Sequence, residues 1–284
     1  MKFKEILRSK ETEYIMEAHD AISAKIVEEI GFKGIWGSGL TISAVNGYRD
    51  VNEISFAELS ANLNQITDSV KIPVLVDIDT GYGDFNNTQL CVKKLQKIGV
   101  QGVSIEDKIF PKKNSFLNNV NQELEEIERF QNKIRIIKDS TGDNFCAIAR
   151  TEAFIANQGV EEALKRAEAY KEAGADAIFV HSKKNTIEEI ELFMKYWKYD
   201  CPIVIAPTTY DNTQKETFER LGIGMVIWAN YMLRAGILAM EKVGNEILRQ
   251  KSAASVKEEI CSMKELFGLQ RMDEYYKMKE KYEV

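Results

Sequence analysis

The sequence predicts an α/β fold, a closed (β/α)₈ barrel of the TIM type with additional C-terminal helices. Eight short apolar runs recur along 284 residues. Longer amphipathic stretches separate them, the rhythm of strand, crossover helix and parallel strand. The length suits a single barrel of about 250 residues.

The strands are expected at Tyr14–Ala18, Lys33–Trp36, Ile72–Asp77, Gly102–Ile105, Phe145–Ala149, Ala177–Val180, Ile203–Ala206 and Met225–Trp228. Most are almost continuously hydrophobic, as parallel strands covered on both faces must be. Between them, Ala21–Ile30 spaces Ile22, Ile26 and Ile30 four apart. Val160–Ala173 is helical before Gly174, a residue that suits a helix C-terminus. Thr186 precedes an apolar helix running to Trp197. Ala235–Leu248 reads as an apolar-rich helix and Ser255–Val284 as helical and charged, so residues 1–284 are expected to form one barrel domain with a helical extension over about 250–284.

The net charge of −6 is spread over interspersed acids and bases, which argues against a nucleic-acid platform. No apolar stretch approaches the roughly 18 residues that span a bilayer, and the N-terminus lacks a signal-peptide core. Cys91, Cys146, Cys201 and Cys261 form no CxxC pair and read as buried small hydrophobes in a reducing compartment. A cytoplasmic protein is expected.

The most informative stretch is Val74-Leu75-Val76-Asp77-Ile78-Asp79-Thr80-Gly81. Two acids spaced i, i+2 at a strand end share a face or its continuation, and a carboxylate pair before a Gly-rich turn suits a hard cation such as Mg²⁺. The other strand ends carry Trp36-Gly37-Ser38-Gly39-Leu40, Glu106, Arg150 and His181-Ser182-Lys183. In a barrel these converge on one mouth. Acids on one side and Arg150 with His181 on the other would hold an anion bridged to the metal. Each has a plainer reading: the acids as turn caps, His181 as a satisfied core histidine, Trp36 as core. Arg150 resists one, because a buried Arg needs anionic partners. Gly37-Ser38-Gly39 lacks the third glycine of a dinucleotide fingerprint. Asp107–Val120, a long polar loop with Lys108, Lys112, Lys113, Asn114 and Ser115, reads as a lid at the same face.

With Gly47-Tyr48-Arg49-Asp50, Glu106-Asp107-Lys108-Ile109-Phe110-Pro111-Lys112-Lys113-Asn114-Ser115, Ala149-Arg150-Thr151-Glu152-Ala153-Phe154 and Val226-Ile227-Trp228-Ala229-Asn230, these motifs resemble the phosphoenolpyruvate mutase branch of the isocitrate lyase superfamily, over nearly the whole chain. Superfamily lyases are similar to K-[KR]-C-G-H where this chain has Lys112-Lys113-Asn114-Ser115-Phe116, so a carbon–carbon lyase or oxaloacetate decarboxylase needing that thiol is disfavoured. Related phosphonopyruvate hydrolases tend to carry Thr where Asn114 stands.

The resemblance implies intramolecular phosphoryl transfer between phosphoenolpyruvate and phosphonopyruvate. It implies Mg²⁺ on Asp77, with Asp79 and Glu106 acting largely through water. Ser38 and the N–H groups of Gly39 and Leu40 would hold the enolate, and Trp36 would wall it. Arg150, His181 and Asn114 would hold the phosphoryl oxygens, with Lys112 and Ser115 beside them on the lid. Asp50 would sit against the phosphorus. Family mutases often end the lid in Asp-Gly, where Asn118 and Asn119 would have to serve as hinge. Homotetramers, as dimers of dimers exchanging late barrel helices, are also implied. Phosphonopyruvate hydrolysis is the nearest alternative; a non-catalytic barrel serving as a binding module is the most distant.

Overall fold

Residues 2–117 and 120–283 of the computed structural model are described. The expected hinge at Asn118 and Asn119 lies outside them. The chain divides into two compact units, Met1–Tyr231 and Met232–Val284.

In the first unit, eight parallel strands close on themselves: β1 (Glu13–Ala18), β2 (Ile35–Gly37), β3 (Val74–Asp77), β4 (Gly102–Glu106), β5 (Cys146–Thr151), β6 (Ala177–Val180), β7 (Ile203–Ile205) and β8 (Met225–Trp228). β8 pairs with β1, with Ile15 beside Ile227, and the ring is complete without an exposed edge. Every expected strand is present, each end within two residues. β5 runs on through Arg150 and Thr151, because Arg150 pairs in register with Glu106 on β4.

The crossover helices α2 (Ala21–Ile30), α4 (Phe56–Ser69), α5 (Phe85–Lys97), α6 (Ile127–Thr141), α7 (Gly159–Glu172), α8 (Glu188–Tyr196) and α9 (Lys215–Leu221) follow β1 to β7, with a short α3 (Gly39–Val45) directly after β2. Their starts are chemically marked. Asp20 caps α2 by accepting from Ser23 N–H, and Ser55 and Glu58 form a reciprocal box at α4. His19-Asp20 thus marks the start of α2. An unexpected helix, α1 (Phe3–Leu7), buries Phe3, Ile6 and Leu7 in one cluster with Ile15, Leu75, Ile148 and Met225. Phe3 N–H donates to Gln101 just before β4, so α1 closes the N-terminal end of the barrel. Trp36 and Phe179 belong to the same core, and this packed interior leaves the C-terminal ends of the strands as the open mouth.

The second unit holds α10 (Tyr231–Gln250) from its second residue, a 3₁₀ turn (Ala254–Val256), α11 (Met263–Leu269) and α12 (Met272–Tyr282). The stretch expected to be helical from Ser255 is broken between Lys257 and Ser262, and Ser262 restarts it as an N-cap paired with Glu265. Cys91, Cys146 and Cys201 are buried, but Cys261 is exposed, because it lies in that broken segment and not in a strand.

Candidate active site

β3 ends at Asp77, and the backbone turns sharply beyond it. Asp79 adopts φ 51°, in the left-handed region, and its N–H donates to Asp77 Oδ1 at 3.1 Å. Strand alternation therefore stops at Asp77. Asp77 lines the cavity at the mouth; Asp79 lies just outside the lining, on the continuation of the strand rather than on one face with Asp77. Gly81 makes this turn possible. Its φ is +88°, and a Cβ there would lie 2.3 Å from Thr88 Oγ1.

The cavity is lined by Trp36, Ser38, Leu40, Asp50, Asp77, Glu106, Lys112, Asn114, Ser115, Arg150 and His181 among the expected residues. Gly39 and Asp79 lie just outside the lining. Gly39 is packed so closely beneath that a Cβ on it would be 3.2 Å from Asp79 Oδ1 and 3.5 Å from Asp77 Oδ2. Gly39 and Leu40 open α3, where backbone N–H groups have no intrahelical acceptor. Lys108, Lys113, Phe116, Phe179, Ala206, Thr208, Ala229 and Asn230 complete the wall.

Residues Lys112 to Phe116 of the segment expected to act as a lid line this mouth. Lys112 Nζ is 2.6 Å from Asp50 Oδ1 and 2.5 Å from Asp79 Oδ1. Asn114 Nδ2 donates to Asp50 Oδ2 at 2.6 Å, and Ser115 Oγ donates to Glu152 Oε2 at 2.8 Å. Lys108, at the root of the loop, is not a solvated base: it is 2 % exposed and donates to Lys113 O and Ser115 Oγ, with Glu152 Oε2 at 3.0 Å.

Arg150 leaves β5 beneath the lid. Its guanidinium bonds Glu152 and approaches Glu106 Oε2 at 3.4 Å and Asp77 Oδ2 at 3.9 Å, stacked 5.1 Å from the Phe179 ring. Burial disfavours its charge, but Glu152, Glu106 and Asp77 overcome that and hold it firmly protonated. His181 Nδ1 lies 2.7 Å from Glu152 Oε1 and 2.8 Å from Arg150 Nη2. Burial, reinforced by Arg150, depresses the imidazole below its usual 6.5 despite Glu152, so the ring is neutral at pH 7.

Three contributors escaped sequence reasoning. Glu152, fully buried, is the common acceptor for Arg150, Ser115, His181 and Lys108, and its carboxyl stays far below the usual range because those donors outweigh burial. Two residues from Arg150 on the continuation of a strand, it shares Arg150's face, and that spacing was the available signal. Asn52 donates to Asp79 and accepts from Lys112 N–H; nothing in the sequence marks it. Asp107 is buried and accepts from Tyr170 Oη at 2.6 Å, Arg166 Nη1 at 3.1 Å and Glu152 N–H at 2.8 Å, so the root of the lid is tied to β5 and α7.

The electrostatics leave room for a cation. Asp50, Asp77, Asp79, Glu106 and Glu152 face Lys108, Lys112 and Arg150, an excess of two acids. Burial, with Asp77, Asp50 and Glu106 nearby, pushes Asp79 up to about 8 even beside Lys112. Burial likewise raises Glu106, whose Oε1 finds no hydrogen-bond donor among the described residues. A buried acid set short of positive charge fits a divalent ion with oxygen ligands. Asp77, Asp79 and Glu106 do not form a ready-made ligand cluster by themselves, so bound water would have to complete the shell.

Residues 3–248 match the family described as phosphoenolpyruvate phosphomutase. The chain is 49% identical to the phosphoenolpyruvate phosphomutase of Tetrahymena pyriformis, over 99% of this chain and 94% of that one. Among solved structures it superposes on a phosphoenolpyruvate phosphomutase from Streptomyces platensis subsp. rosaceus with TM-score 0.96 and 37% identity, covering 98% and 97% of the two chains. A phosphonopyruvate hydrolase complex with oxalate and Mg²⁺ gives TM-score 0.93 and 36% identity, again over 98% and 97%.

Proposed function

The chain belongs to the phosphoenolpyruvate phosphomutase family, and we propose that it is a mutase that interconverts phosphoenolpyruvate and 3-phosphonopyruvate by Mg²⁺-dependent intramolecular phosphoryl transfer. One observation carries the reading: Asn114 of the lid, a neutral donor, is bonded to Asp50 across a mouth walled by Trp36, Phe116 and Phe179. A loose, metaphosphate-like group would be captured by water in an open site. Here the lid supplies donors without a base free to activate water, since Asp50 is engaged by Lys112 and Asn114. Burial alone would raise its carboxyl; Lys112 and Asn114, with Arg150, bring it below the usual value, so it meets the phosphorus as an anion.

Magnesium held by Asp77, with Asp79 and Glu106 behind it, would supply positive charge to the carboxylate and enolate oxygens. Ser38 and the N–H groups of Gly39 and Leu40 then orient the enolate, and Trp36 bounds its plane. Arg150 and Asn114 donate to the phosphoryl oxygens, and His181, whose Nδ1–H is held by Glu152, joins them through Nε2 once the ring gains a proton, with Lys112 and Ser115 holding the lid. Glu152 keeps Arg150 and His181 in place.

Hydrolysis of phosphonopyruvate is the competing reading. The mutase relative at 49% identity, against 39% for a phosphonopyruvate hydrolase relative, favours isomerisation. Phosphorus NMR of the protein with phosphonopyruvate and Mg²⁺ decides: a phosphoenolpyruvate resonance is expected, whereas inorganic phosphate alone would overturn it.

No helix among the described residues is long and apolar enough to cross a membrane, and we place the enzyme in the cytoplasm. Leu238, Met240 and Leu248 on α10 are 65–69% exposed, which supports a homotetramer, a dimer of dimers with exchanged late helices. Light scattering on the eluted protein tests the assembly.

A further inference from the structure

We propose that Asn52 is a positioning residue that links closure of the lid to binding of the divalent cation. The inference rests on the Mg²⁺-dependent reading above and adds a residue outside the cavity lining. Asn52 sits at φ 61°, a left-handed backbone that Asn tolerates better than most residues. That turn aims its side chain between two segments. Nδ2 donates to Asp79 Oδ2 at 2.7 Å, and Oδ1 accepts from the backbone N–H of Lys112 at 2.7 Å.

A primary amide is planar and offers a donor and an acceptor on one rigid unit. The orientation of Asp79 and the position of the lid backbone are therefore two ends of one lever. The other tie between lid and acid, Lys112 Nζ to Asp79 Oδ1 at 2.5 Å, is made by an ammonium. A second cation among these acids repels the ammonium and weakens that tie. The amide carries no charge, so its two bonds persist whether or not a metal is present. Asn52 thus keeps Asp79 and the lid in step when Lys112 yields. A Leu of similar size would leave Asp79 Oδ2 and Lys112 N–H without this partner. An Asp would keep an acceptor for Lys112 but offer Asp79 a second carboxylate in place of the amide donor.

The test is linkage, measured by calorimetric titration of Mg²⁺ into the full chain with and without oxalate, a planar dianion shaped like the enolate. In the wild type, oxalate is expected to tighten Mg²⁺ by at least about fivefold, the lower range of such couplings. It should also slow tryptic cleavage after exposed Lys113 in the lid. In Asn52→Leu and Asn52→Asp, each checked for a wild-type circular dichroism spectrum, the ratio is expected to fall by more than about twofold and the protection at Lys113 to vanish. A purely structural role would weaken Mg²⁺ equally with and without oxalate, leaving the ratio intact. A ratio within about twofold of wild type in either folded variant overturns the inference and spares the mutase reading. A wild type that binds oxalate without needing Mg²⁺ brings down both.

Discussion

Asn114 Nδ2 lies 2.6 Å from Asp50 Oδ2, so the lid touches the barrel through the very carboxylate expected to meet phosphorus. Replacing Asn114 by Ala removes that donor and opens a way for water. Mutase turnover is expected to fall about 10²-fold, the scale of losing one placed donor, while the share of substrate released as phosphate rises. Unchanged isomerisation in phosphorus NMR would show that Asn114 does not govern the outcome.

Asp50→Ala removes the anion itself. Turnover is expected to drop by at least about 10³-fold, whereas Mg²⁺ affinity stays within a few fold, because Asp77, Asp79 and Glu106 remain. Stopped-flow turnover and metal titration on one preparation separate the two effects.

Glu152 holds four donors at the floor of the site: Arg150, Ser115, His181 and Lys108. Glu152→Ala strips buried cations of their counter-charge and is expected to destabilise by about 3–5 kcal/mol, with Glu152→Gln recovering part of the loss. Urea titrations at pH 7.5 measure both.

His181 yields a pH dependence with a definite sign. Its folded value is depressed by burial and by Arg150, while the unfolded imidazole titrates near 6.5. Below pH 6.5 the unfolded chain binds more protons, so this contribution to stability is lost as pH falls from 6.5 toward the depressed value, at no more than about 1.4 kcal/mol per pH unit. His181→Gln should flatten that part of the urea-midpoint profile relative to wild type.

Gly81→Ala sets a Cβ 2.3 Å from Thr88 Oγ1 at φ +88°. A loss of about 1–3 kcal/mol from backbone strain is expected in addition to the clash. Adding Thr88→Ala should relieve only the clash. A double variant melting at the wild-type temperature would mean the turn has another conformation.

The strands were legible because covered parallel strands must be apolar on both faces, and the mouth was legible because polar residues ending such runs have nowhere else to go. Arg150 announced itself as a cation inside an apolar run. Glu152 could be read only from its i+2 spacing to Arg150; its meaning comes from four donors, three of them distant in the chain. Asn52 and the burial of Lys108 arise from the lid folding back on residues far from it in sequence, which no local pattern encodes. α1 is too short for periodicity to speak, and only the empty barrel floor calls for it. Asp79 falls on the continuation of the strand rather than on one face with Asp77 because a left-handed turn, with Gly81 two residues on, ends strand alternation.

Asp107 fastens one end of the lid to Tyr170, Arg166 and the Glu152 backbone. For the proposed lid, this sets the point where opening would begin, just beyond Asp107, like a gate hung on a post set in the wall. Substrate can come and go without the wall breathing. Heat tolerance could therefore be raised by reinforcing the outer helices while traffic through the gate continues at its native pace.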